Sequence, residues 1–150
     1  AAWIADRMAL PMAYIRKKPK GFGRNAQIEG DLPKGDRVLL VEDLTTDGQS
    51  KIQFAEALRR AGAVIEHAFV VFFYGVFPGS LETLAGMGIG LHHLSTWWDV
   101  LDACRDRAYF EPAALSEVRR FLDDPVAWSA AHGGVASAEE AAARKAITEG

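Results

Sequence analysis

Four consecutive aliphatic residues, Val38-Leu39-Leu40-Val41, run directly into two carboxylates, Glu42 and Asp43, and then into Leu44-Thr45-Thr46-Asp47-Gly48-Gln49-Ser50. The apolar run predicts a strand buried on both faces. Beyond Ser50 the spacing of Ile52, Phe54, Ala55 and Leu58 predicts an amphipathic helix that stops near Gly62. Val64 to Phe73 reads as a second, unusually apolar strand and therefore a central one, and Ile89 to Leu94 as a third. Between them Ser80 to Gly86 has the pattern of a short helix, with Ser80 as a cap and Glu82 in its first turn. Helices are expected over Thr96 to Arg105 and Pro112 to Leu122. Upstream, Ala1 to Leu10 has helical spacing ended by Pro11, and Met12 to Ile15 is a short strand candidate. Ile28 to Gly35 reads as a connection. The stretch after Pro125 reads as a loop, and Ala138 to Ile147 as a weak peripheral helix. Alternation of strand and helix predicts an α/β fold, a parallel sheet flanked by helices on both faces.

At 150 residues the chain is expected to form one domain, 1–150, with 125–150 as a peripheral tail. A hydrophobic content of 49% with 25% charged residues is ordinary for a soluble globular protein. The single Cys104 cannot form an internal disulfide, which fits a reducing cytoplasm. No apolar run approaches the roughly 20 residues that span a bilayer, so no membrane partner is expected. Charge changes the picture more. The net value is −3, yet Arg16, Lys17, Lys18, Lys20 and Arg24 place five positive charges within nine residues, leaving −8 on the rest. That balance argues against general nucleic-acid binding and for a local anionic partner of the basic segment. Pro19, Gly21 and Gly23 mark the segment as a loop.

The turn after the first core strand carries the candidate chemistry. Open α/β sheets bind ligands at the carboxyl ends of their strands. Carboxylates accept hydrogen bonds from sugar hydroxyls, and a turn of backbone N–H groups entering a helix suits a phosphate. Glu42, Asp43 and the Thr45–Ser50 turn therefore describe a pocket for a ribose 5-phosphate. A P-loop would need a Gly-Lys-Ser/Thr ending, and a dinucleotide fingerprint would need three spaced glycines where only Gly48 stands. A receiver domain carries its acids on the first strand. The plain alternative is a strand–turn–helix whose acids are merely solvated.

The string Val41-Glu42-Asp43-Leu44-Thr45-Thr46-Asp47-Gly48-Gln49-Ser50 resembles the 5-phosphoribosyl-1-pyrophosphate (PRPP) motif of the type I phosphoribosyltransferases. Leu10-Pro11 with Arg16-Lys17-Lys18-Pro19-Lys20-Gly21-Phe22-Gly23 is similar to the catalytic loop of orotate phosphoribosyltransferases, and Leu91 to Leu101 resembles a bacterial subgroup of them. The resemblance implies transfer of phosphoribosyl from PRPP to orotate, giving orotidine 5′-monophosphate and pyrophosphate in pyrimidine biosynthesis. It implies Lys20, Asp43 and Glu42 as catalytic residues. It implies PRPP contacts from Arg16, Lys17, Lys20, Glu42, Asp43, Leu44, Thr45, Thr46, Asp47, Gly48, Gln49 and Ser50. Thr46, and by position Tyr74, would lie near the orotate. Mg²⁺ would be held mainly by PRPP, with no direct protein ligand. A cytoplasmic homodimer, its basic loop shared between active sites, is implied too.

Two departures stand out. Phe22 occupies the family's loop histidine position, and Phe73-Tyr74 its Asp-Arg pair, whose arginine helps hold orotate. The family's pyrophosphate loop and base-binding hood precede the position of Ala1, so this stretch by itself is expected to lack orotate binding and to be inactive. The alternatives are transfer to another nucleobase and a non-catalytic PRPP- or nucleotide-binding regulatory module. His92 and His93, adjacent on a strand, point to opposite faces and do not chelate one ion simply. His67 reads as a partly buried strand histidine, Trp97 and Trp98 as packing residues, and His132 as part of a loop.

Overall fold

The computed structural model describes residues 1–16, 27–77, 79–137, 139–140 and 143. They group into two compact units, Ala1–Phe73 with Pro78–Leu94, and Tyr74–Phe77 with Ser95–Gly150.

The first unit opens with helix α1 (Ala2–Met8) and an antiparallel pair of short strands, β1 (Tyr14–Ile15) and β2 (Ile28–Glu29). The second of these lies where the sequence predicts only a connection. Gly30 follows at φ 110°, with Ala13 so close that an added Cβ would come within 3.1 Å of backbone. A side chain there would meet both the wrong dihedral and a wall. Strand β3 (Arg37–Thr45), helix α2 (Gln49–Arg60) and strand β4 (Val64–Phe73) form a βαβ unit, with β3 and β4 parallel. After α3 (Ser80–Gly86), strand β5 (Gly90–Thr96) completes a parallel sheet ordered β3-β4-β5. The apolar β4 is central, as its composition predicts.

The core of this unit lies between the sheet and its helices. Leu40, Ile65 and Ala68 from the strands meet Phe54, Ala55 and Leu58 of α2, with Leu84 and Ile89 closing one side. Ile15 and Ile28 pack against the same core and seat the hairpin on it. The expectation of burial on both faces of β3 is corrected in detail. Leu40 is buried, while its neighbour Leu39 is exposed, as are Val64 and Val71 on β4. Successive strand residues face opposite ways, so one face takes the helices and the other stays open in this unit. The β3–β4 register slips after Val38, where Val38 faces Ile65 but Leu39 faces His67, leaving Glu66 as the extra residue of a bulge.

In the second unit, α4 (Trp97–Asp106) and α5 (Pro112–Asp123) pack around Val76, Leu101 and Leu122, and α6 (Pro125–Ala131) lies on α5, its Trp128 edge-on to Phe121 at 5.4 Å. Strand β5 runs straight into α4 because Thr96 caps that helix, exchanging hydrogen bonds with Asp99 in a capping box. Helix α6 replaces the loop expected after Pro125. Asp124 accepts from the Ala127 amide at 2.9 Å and Pro125 occupies the first helical position, a start signal present in the sequence. At the head of α3 the cap is Gly79, with Ser80 already inside the helix. Most of the helix expected over 138–147 lies outside the described residues.

Candidate functional site

Strand β3 extends through Thr45, so Glu42 and Asp43 stand within its last turn of pleat, not beyond its end. The turn to α2 is only Thr46-Asp47-Gly48. It can be this short because Gly48 takes φ 80° as the N-cap of the helix, a conformation that costs other residues about 1–2 kcal/mol. Asp47 steadies the entry, its Oδ1 accepting from the Gln49 amide at 3.1 Å. The Lys51 and Ile52 amides that follow donate to the Gly48 carbonyl at 3.0 and 3.3 Å, closing the first turn of α2 on its glycine cap.

Exposure divides the turn residues. Thr45 and Gly48 are buried, Thr46, Asp47 and Ser50 are half-buried, and Asp43 and Gln49 are exposed. Thr45 Oγ1 is buried with no hydrogen-bond partner among the described residues. Such a hydroxyl carries a penalty of roughly 1–3 kcal/mol.

One residue that sequence reasoning passed over sits at the centre of the site. Lys51, only 2% exposed, forms an ion pair with Glu42 and donates from Nζ to the Leu44 carbonyl at 2.8 Å and to Ser50 Oγ at 3.4 Å. The signal was available. Lys51, Phe54, Ala55 and Leu58 share the buried side of α2, so a lysine stands at a core position of an otherwise apolar stripe.

The remaining expected site residues lie elsewhere. Arg16 sits at the start of the basic segment. Its amide donates to the Gln27 carbonyl at 2.8 Å, and its guanidinium pairs with Glu29 at 2.7 Å. Lys17, Lys18, Lys20, Phe22 and Arg24 fall outside the described residues. Tyr74 belongs to the second unit, where its ring meets Trp97 edge-on at 5.8 Å and stacks with Phe77 at 6.4 Å.

The histidines take structural partners. His67 is exposed where partial burial is expected, and its Nδ1 lies 3.2 Å from His92 Nε2. His93 instead sits against Phe73, with ring centroids 5.4 Å apart. His132 ends α6, stacked at 4.0 Å on Trp128. Among the described residues no group of three or more His, Cys, Asp or Glu could hold a metal ion, and no helix is long and apolar enough to cross a membrane.

An acid-tipped parallel strand handing over to a phosphate-type turn and helix defines the class: this is the type I phosphoribosyltransferase fold. No family model matches the chain. Along its length the sequence resembles orotate phosphoribosyltransferase. The relative from Dinoroseobacter shibae is 58% identical over 131 residues, covering 87% of this chain and 58% of its own length. The one from Allorhizobium ampelinum is 51% identical over 137 residues, covering 91% of this chain and 60% of its own. The chain thus spans somewhat over half the length of the curated relatives it matches. Among solved structures, orotate phosphoribosyltransferase from Aeropyrum pernix superposes with a TM-score of 0.61 at 39% identity, over 69% of this chain and 56% of that one. UMP synthase from Leishmania donovani gives 0.67 at 28% identity, over 81% of this chain and 26% of that one.

Proposed function

We propose that the protein carrying this chain is an orotate phosphoribosyltransferase that transfers the 5-phosphoribosyl group of PRPP to orotate, releasing pyrophosphate, in the cytoplasm. The observation that carries the reading is the β3–α2 junction. A carboxylate pair, a buried unpartnered threonine hydroxyl and a glycine-capped helix start converge on one short turn.

In this reading the 5-phosphate lies over the amides of Thr45 to Ser50, and Glu42 and Asp43 receive the ribose hydroxyls. The bond from C1 of the ribose to the pyrophosphate oxygen breaks, its electron pair leaving with pyrophosphate, and a bond from a ring nitrogen of orotate to C1 forms. Positive charge grows on the ribose as that bond loosens, and the fixed carboxylates stabilise it. Arg16, Lys17 and Lys20 meet the negative charge gathering on the leaving group, and the loop that carries them excludes water from the reacting sugar. Thr46 stands on the side of the base. The exposed carboxylate of Asp43 is a hard oxygen donor of the kind Mg²⁺ accepts, and the ion would be held mainly by PRPP. Bound Mg²⁺ supplies charge neutralisation at the pyrophosphate. The enzyme acts as a homodimer in which each basic loop serves the partner's site.

Assays of the intact protein for PRPP consumption with orotate, hypoxanthine, adenine and uracil test the reading. Orotate-dependent turnover is expected. Turnover with another base alone would replace it with a different phosphoribosyltransferase, and none with any base would leave a regulatory module. Asp43→Asn and Lys20→Ala are each expected to lower kcat by roughly 10²–10³-fold with the fold intact. Mixing the two inactive variants should restore part of the activity, since a mixed dimer contains one site with both groups.

A further inference from the structure

A cation in the first turn of a helix opposes the helix dipole, and a buried one also gives up its hydration. Lys51 does both, so its position demands a compensating role. The three N–H donors of an ammonium match the three oxygens around it, from the Glu42 carboxylate, the Leu44 carbonyl and the Ser50 hydroxyl. These belong to both sides of the turn, two at the end of β3 and one in the first turn of α2. With every donor committed, Nζ has none left for a substrate.

We propose that Lys51 is a positioning residue of the PRPP site: it ties the acidic end of β3 to the start of α2 and so preforms the phosphate turn and orients Glu42 before substrate arrives. This rests on reading the turn as a PRPP site. The turn is held from below by a point charge, so the cost of ordering it falls on folding and not on binding. The tie also separates the two carboxylates by task. Glu42 has its charge balanced by Lys51, whereas the exposed Asp43 presents its charge outwards.

The test compares the intact enzyme with Lys51→Met, Glu42→Gln and the double variant, each well below its melting temperature. The readouts are the Kd for ribose 5-phosphate by calorimetry, the melting temperature, and kcat and KM for PRPP. Lys51→Met should raise the Kd more than fivefold over the parent. The double variant, which removes the charge together with its partner and so protects the fold, should raise it more than fivefold over Glu42→Gln. In each comparison the KM for PRPP should rise in step with the Kd, and any fall in kcat should stay smaller than the rise in KM. A shift below fivefold in either comparison overturns the proposal, even with a lowered melting temperature, because a lysine serving only the fold gives that pattern. A kcat loss exceeding the KM rise overturns it as well. If the parent itself binds no ribose 5-phosphate, the reading of the turn fails, a result distinct from failure of the Lys51 role.

Discussion

Two ion pairs in the first unit make the same kind of contact in opposite surroundings. On the β1–β2 pair, Arg16 and Glu29 meet with side chains 37% and 41% exposed. At the β3–α2 junction, Lys51 and Glu42 meet with 2% and 25%. Water screens the first pair and can replace either partner, so such a contact contributes about 0–1 kcal/mol. The second has given up hydration at the lysine, and losing one partner strands a charge. The hairpin pair is therefore a surface latch, whereas the junction pair is part of the architecture of the site. The costly electrostatics lie at the β3–α2 turn, the proposed PRPP site.

The largest stability effect should come from breaking the buried pair. Lys51→Met is expected to lower unfolding free energy by about 3 kcal/mol, measured by urea denaturation of the intact protein. Most of that should return in the double variant with Glu42→Gln, because no unpaired charge remains. A loss no greater than that for Arg16→Ala would erase the contrast. Next comes Gly48→Ala, which keeps both ion-pair partners but strains the turn between them. An added Cβ meets nothing nearer than the Ser80 carbonyl at 3.6 Å, so the cost of about 1–2 kcal/mol is purely dihedral. The smallest effect is reserved for Arg16→Ala, within about 1 kcal/mol by the same measurement. The small contribution of that exposed pair should fade further in high salt, unlike that of the junction pair.

Much of this arrangement was legible from local pattern. The continuous apolar runs and the helical spacings mark β3, α2, β4, α3, β5, α4 and α5, and the residues from Glu42 to Ser50 announce the turn. What was missed had other causes. Strand β2 is two residues long, too short to show a period, and exists through its pairing with β1. Helix α6 did carry its Asp-Pro start signal, but its seven residues are too few for the apolar pattern to outweigh the loop-like tail. Leu39 was expected inside because it is aliphatic, although composition alone does not say how many sides of a strand will be covered.

Lys51 is the instructive case. Its place on the apolar stripe of α2 could be read from spacing, but not its partners. Sequence alone determined that an acidic strand end, a glycine turn and a helix start follow one another, since propensity and turn chemistry act over a few neighbouring residues. Only the tertiary structure decided that the lysine beyond the turn folds back beneath it to meet Glu42 and the Leu44 carbonyl. That contact depends on packing α2 against the sheet, which removes water from the ammonium and leaves those oxygens as its partners.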